Sequence, residues 1–215
     1  MLNIYYLELK STVFTNNDKN LLHYVSKQRS EKVLRYRFDI DRLLSLYGEL
    51  LTRMTLSQII GTSTSNLDIH TDSNRKPYLH DFRDYHFNLS HTRNCILLCI
   101  SNNCSVGADI EKISNPPYEI SNNCFHPKEK EFIDSGIPQE KAKRFFEIWT
   151  KKESYLKKCG TGLTTNLTKI NTLSLPVYYQ MYHYGNYISA ICSDINHTGF
   201  RSEVSQLDII KYYNP

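Results

Sequence analysis

The sequence has no long apolar run, no strong excess of charge and no metal-binding cysteine spacing. Each absence removes a class of protein. No stretch of its 215 residues is apolar for long enough to cross a bilayer, so no membrane span is expected. The opening residues Met1-Leu2-Asn3-Ile4-Tyr5-Tyr6 lack the charged start and apolar run of a secretory signal. Cys95, Cys99, Cys104, Cys124, Cys159 and Cys192 form no Cys-x-x-Cys pair and no zinc spacing. Free thiols in a reducing cytoplasm are the expectation. A formal net charge of +4 suits an anionic ligand or an acidic partner but is too small to argue for nucleic acid.

What is present is ordinary for a globular chain: 40% hydrophobic and 22% charged residues, enough for one large domain or two smaller ones. Asn3 to Leu9 reads as a strand. Asn16 to Arg53 is helical in pattern, with a basic group of Lys27, Arg29, Lys32, Arg35 and Arg37. That group is either a solvated face or a phosphate-binding set. Leu43, Leu46, Tyr47, Leu50, Leu51, Met54 and Ile59 recur at helical spacing, and Gly61 is a stop. Leu67 to His70, Tyr85 to Leu89, Cys95 to Ser101 and Val106 to Glu111 read as strands. Phe125 to about Gly136 and Gln139 to Cys159 read as helices, the second ended by Gly160-Thr161-Gly162. Val177 to His183 and Tyr187 to Cys192 flank the hairpin signal Gly185-Asn186. Val204 to Tyr212 is expected to supply a last strand. The economical reading is an α+β chain of two similar lobes, divided either near Ser101 to Cys104, as 1–103 and 104–215, or in the Pro116-Pro117 connector.

Two stretches carry chemistry. In Gly107-Ala108-Asp109-Ile110-Glu111, residues two apart on a strand share a face, so Asp109 and Glu111 stand together while Ala108 and Ile110 turn inward. Side-by-side anions call for a cation, and hard oxygen ligands suit Mg²⁺. An exposed strand edge that happens to carry two acids is the plain alternative. The second stretch runs from Phe145 to Leu163. On a helix, Phe145, Trp149 and Leu156 fall on one side, and Thr150, Glu153 and Lys157 form a stripe bordering it. Taken alone, Glu153 and Lys157 read first as an ordinary i,i+4 ion pair.

Lys76-Pro77-Tyr78, Phe87-Asn88-Leu89-Ser90-His91, Gly107-Ala108-Asp109-Ile110-Glu111 and Trp149-Thr150-Lys151-Lys152-Glu153 through Gly160-Thr161-Gly162-Leu163 resemble, in order and spacing, the motifs of the 4′-phosphopantetheinyl transferases of the surfactin-activating type. The resemblance spans about residues 1 to 195. It implies a pseudo-dimeric fold with the ligand between lobes: the adenine and 3′-phosphate of coenzyme A on the first lobe, metal and pyrophosphate on the second. It implies Mg²⁺-dependent transfer of phosphopantetheine from CoA to a serine of an apo acyl- or peptidyl-carrier protein, releasing 3′,5′-adenosine bisphosphate. Mn²⁺ is the alternative metal. Asp109, Glu111 and Glu153 match its metal ligands, and Lys157 a pyrophosphate lysine with a catalytic role. Glu129 matches a general base. Arg29, Lys32, Lys76, Pro77, Ser90 and His91 match positions that contact CoA. Leu44 stands where the family often has an arginine on the 3′-phosphate, with Arg42 two residues earlier. The resemblance further implies a cytoplasmic monomer serving peptide or polyketide synthesis, without nucleic acid or membrane. A non-catalytic CoA- or carrier-binding module and a Mg²⁺-dependent CoA pyrophosphate hydrolase are the rival functions.

Overall fold

The apolar run Cys95–Ser101 forms a strand in which every residue is buried, and its two faces feed two different cores. In the computed structural model, which describes residues 1–162, 166–196 and 199–214, the chain runs in the following order. β1 (Leu2–Glu8), α1 (Asn16–Asn20), α2 (Lys27–Arg35) and α3 (Asp39–Ile60) come first. Then come β2 (Ile69–Thr71), β3 (Pro77–Leu79), β4 (His86–Thr92), β5 (Cys95–Ser101) and β6 (Val106–Lys112). α4 (Ser121–Cys124), α5 (Pro127–Asp134), α6 (Pro138–Cys159), β7 (Tyr178–Tyr184), β8 (Tyr187–Ser193), β9 (Phe200–Glu203) and α7 (Gln206–Tyr213) complete it. The architecture is α+β, as the sequence predicts.

One sheet has the order β4-β5-β1-β9 and another β6-β8-β7, with β2-β3 a separate ribbon. Strand alternation divides the cores. Ile96, Leu98 and Ile100 of β5 join Leu7 of β1 against Leu43, Leu46, Tyr47 and Leu50 of α3. Cys95, Leu97 and Cys99 join Leu2, Ile4 and Tyr6 on the opposite face, where they meet Val106, Ala108, Ile110 and Ile191 of the other sheet. A third cluster packs Phe145, Phe146 and Ile148 of α6 with Phe125, Ile133 and Ile188. Each main sheet thus carries one 22-residue helix. Both helices end on a glycine of positive φ, Gly61 at 77° and Gly160 at 70°, where any other residue would be strained.

Two expectations need correction at the C-terminus. Residues 206–213 are a helix, not a strand: Ser205 and Asp208 form a reciprocal capping box, and Ile209 and Tyr213, four apart, are the buried residues. This segment also does not stay with the second lobe as a boundary at 103/104 expects. β9 pairs in parallel with β1, Asn3 opposite Phe200 through Tyr6 opposite Glu203. Ile209 and Tyr213 of α7 are buried in the α3 core. The last stretch of the chain therefore clasps the first lobe.

Candidate active site

β4 and β6 are edge strands of different sheets, and they meet through side chains. Asn88, Ser90 and Thr92 alternate on one face of β4. Asn88 Oδ1 accepts from the Ala108 amide at 2.9 Å, Ser90 Oγ donates to Asp109 Oδ1 at 2.9 Å, and Thr92 Oγ1 donates to Glu111 Oε2 at 3.2 Å. The Asp-x-Glu pair is thus gripped residue by residue along a seam between the two sheets. Ala108 and Ile110 face the core as expected.

α6 crosses β6 at Gly107. A β-carbon there would collide with the Ser154 carbonyl and the Lys158 amide, so glycine sets the approach. That approach brings Glu153 and Lys157 to Asp109. Lys157 Nζ lies 2.6 Å from Asp109 Oδ1 and 2.9 Å from Ser90 Oγ. Lys157 therefore pairs across the seam with Asp109, and the simple i,i+4 pair with Glu153 does not form among the described ion pairs. Asp109 Oδ2 and Glu153 Oε1 are buried without a hydrogen-bond partner. Burial, and then the Asp109 charge, push the Glu111 carboxyl up to about 7. The same two causes raise Glu153.

No three His, Cys, Asp or Glu side chains among the described residues converge into a finished ion cage. The set nevertheless fits a hard divalent cation. It offers two orphaned carboxylate oxygens and a crowded third acid, and Mg²⁺ commonly takes one or two carboxylates together with substrate phosphate oxygens. Asp109, Glu111 and Glu153 are the residues that would hold it.

The other face of β4 lines a cleft. Phe87, Leu89 and His91 meet a stripe of α3, Asp41, Leu44, Ser45, Gly48, Glu49 and Thr52, and Arg29 and Lys32 of α2 with Tyr36 just beyond it. Pro77 and Ile69 close it. Arg29, Lys32, Pro77 and His91, separated by up to 62 positions, are therefore brought to one pocket beside the acid seam. Glu49 Oε2 accepts from Arg29 Nε at 2.9 Å, and Ser45 Oγ from Arg29 Nη1 at 3.2 Å, which fixes the guanidinium at the pocket wall. Local desolvation and Lys157 hold the His91 imidazole below the usual histidine range. Leu44 lines the pocket, whereas Arg42 turns to Asp39 and the Tyr36 carbonyl. Asp41 and Glu49, acidic residues on the pocket wall, were not anticipated.

Two expected site residues are placed otherwise. Lys76 does not face this pocket: its ammonium donates to Ser105 Oγ and the Lys158 carbonyl, tying the β2–β3 turn to the end of α6. Burial lowers its pKa. Glu129, expected as a general base, is fully buried with both oxygens occupied. Oε2 accepts from the His126 amide and lies 2.7 Å from Lys152 Nζ, and Oε1 accepts from the Thr172 amide and hydroxyl at 2.8 and 2.7 Å. In this arrangement every contact of the carboxylate is to the protein itself. Asn88, Thr92 and Gly107 shape the acid seam, and motif reading gave them no role.

Two sequence models of one family match this chain. The model described as 4′-phosphopantetheinyl transferase superfamily matches residues 105–197, and that described as 4′-phosphopantetheinyl transferase, N-terminal, matches residues 15–103. The 4′-phosphopantetheinyl transferase gsp of Aneurinibacillus migulanus is 38% identical over 139 residues, covering 65% of this chain and 57% of that protein. The 4′-phosphopantetheinyl transferase Sfp of Bacillus subtilis strain 168 is 27% identical over 164 residues, 76% of this chain and 73% of that protein. The 4′-phosphopantetheinyl transferase HetI of a Nostoc species is 29% identical over 150 residues, 67% and 63% of the two chains. The chain thus spans a little over half the length of the first of these relatives.

Proposed function

Because the chain belongs to the 4′-phosphopantetheinyl transferase superfamily, we propose that it transfers the phosphopantetheine arm of CoA to a serine of an apo carrier protein. The serine Oγ forms a bond to the phosphorus that bears the arm. The bond from that phosphorus to the bridging oxygen breaks, 3′,5′-adenosine bisphosphate leaves, and the serine proton passes to solvent. The observation that carries the reading is the buried acid set on β6 and α6, with orphaned oxygens on Asp109 and Glu153, beside a pocket walled by Arg29 and Lys32. A diphosphate with a cation suits the first, and an adenosine bearing a phosphate suits the second.

Bound Mg²⁺ would neutralise the charge that develops on the leaving phosphate. The remaining work falls to the chain. Asp109, Glu111 and Glu153 would hold the ion. Lys157, held by Ser90 and Asp109, presents an ammonium to a pyrophosphate oxygen. Arg29 and Lys32 attract the phosphate of the adenosine end, with His91 lining the same pocket. Leu89, Phe87 and Pro77 supply apolar contact for the base. Leu44 adds no charge there, so the grip on the 3′-phosphate rests on Arg29 and Lys32. A cytoplasmic setting, a monomeric state and a peptidyl or acyl carrier as acceptor belong to the same proposal, and the mildly basic chain suits an acidic carrier surface.

Incubation with CoA, Mg²⁺ and a panel of apo carriers, followed by weighing each carrier, tests the reading. A gain of one phosphopantetheinyl group on a serine is expected. No gain on any carrier, with free phosphopantetheine released instead, would make the protein a hydrolase. CoA binding without either product would make it a binding module.

A further inference from the structure

Lys152 and Glu129 form an ion pair of 2.7 Å with side chains 1% and 0% exposed, and nothing in the proposed transfer uses either. Both groups are saturated. Lys152 Nζ also donates to the carbonyls of Leu167 at 2.9 Å and Ile170 at 2.7 Å. Glu129 holds the Thr172 amide and hydroxyl on one oxygen and the His126 amide on the other. Burial depresses the Lys152 ammonium, and Glu129 opposes that shift. A buried pair of this kind is a poor source of stability, since apolar side chains of similar volume commonly do as well or better. Its distinctive property is geometric. It joins the start of α5, the middle of α6 and the Leu167–Thr172 stretch at one point.

Lys152 precedes Glu153, and successive residues on a helix differ by about 100°. One points into the core behind α6 while the other borders the cleft. A rotation of α6 cannot move one without the other. We propose that Glu129 and Lys152 are positioning residues: a buried pin that fixes the pose of α6, and so the Glu153 carboxylate against Asp109, without touching substrate. The proposal rests on the reading of Glu153 as a ligand of the transfer metal.

The test compares wild type, Glu129→Gln and the volume-conserving double variant Glu129→Leu/Lys152→Met. Thermal melting, calorimetric titration with Mg²⁺ in the presence of CoA, and the pH profile of kcat are measured for each. The double variant is expected to melt at or above the wild-type temperature while its Mg²⁺ affinity falls about tenfold, as for other supports of metal ligands. Both variants are expected to keep the shape of the wild-type pH profile. Unchanged Mg²⁺ affinity in a folded double variant would overturn the proposal. So would a Glu129→Gln protein that binds Mg²⁺ normally but loses the acidic limb of its profile, because Glu129 would then be the base. If the double variant does not fold, the shape-preserving Glu129→Gln decides by the same readings. The metal titration stands apart from the transfer assay: a wild type that loads no carrier defeats the transfer reading, while the Mg²⁺ shift still decides the role of the pair.

Discussion

Asp109 Oδ2 and Glu153 Oε1 are acceptors without donors in a protein interior, an arrangement that costs about 1–3 kcal/mol per group unless a ligand relieves it. Glu153→Gln removes a raised acid from beside Asp109. The Mg²⁺-free variant should melt higher than wild type, by about 2–4 °C for each kcal/mol relieved, while carrier loading falls at least about a hundredfold. Lower melting with retained loading would remove Glu153 from the site. Lys157→Met leaves Asp109 without its 2.6 Å partner and should instead lower both melting temperature and turnover. At this scale the sequence was informative where periodicity alone sets the face: Asp109 and Glu111 on a strand, Glu153 and Lys157 on a helix. The partners of Glu129 stand at Lys152 and Thr172, far along the chain, so no local pattern shows them. Part of the correct signal was local, since His126-Pro127-Lys128-Glu129 has the spacing of a capping box, which the structure forms. Lys76 is ambiguous for another reason: a loop lysine can reach ligand or protein, and here its ammonium meets Ser105 and the Lys158 carbonyl.

Elements meet at this site because one residue lets them. A β-carbon at position 107 would strike backbone atoms of α6, which no rotamer change can relieve. Gly107→Ala should destabilise the fold by about 1–3 kcal/mol or more and abolish loading, because α6 must back away from β6 and take Glu153 and Lys157 with it. Gly48→Ala is the control. Its added methyl meets only Leu89 at 3.4 Å, and replacing a mid-helix glycine gains helix propensity, so its melting temperature should hold or rise. A Gly107→Ala protein as stable as wild type would disprove the close-packing account. The strands and long helices were legible because their apolar patterns are strong. Residues 206–213 were not. Leu207, Ile209, Ile210, Tyr212 and Tyr213 suit either strand or helix in so short a run, and the Ser205–Asp208 cap that decides the matter was overlooked.

For the whole molecule, the acid seam couples metal, pH and stability. Glu111 has an ordinary value of 4.5 when unfolded and is raised to about 7 in the fold. Between those values the folded state holds the extra proton, so this group's contribution to stability is fullest at low pH and is lost as pH rises through the window. A bound cation reverses the penalty, since it favours the ionised form. Mg²⁺ with CoA should therefore raise the melting temperature more at pH 8 than at pH 5.5, and an equal rise at both would place the ion elsewhere. The two-lobed plan was legible from the repeated order of elements. The clasp of β9 and α7 on the first lobe was not, because parallel pairing of residues nearly 200 apart leaves no local mark. The central proposal is that the seam moves a phosphopantetheinyl group from CoA to a carrier serine. The most direct test follows 3′,5′-adenosine bisphosphate release and carrier mass in one reaction with wild type and Glu153→Gln. The account predicts one bisphosphate released per carrier loaded, dependent on Mg²⁺ and lost in the variant. Release without loading, or loading that survives in Glu153→Gln, would contradict it.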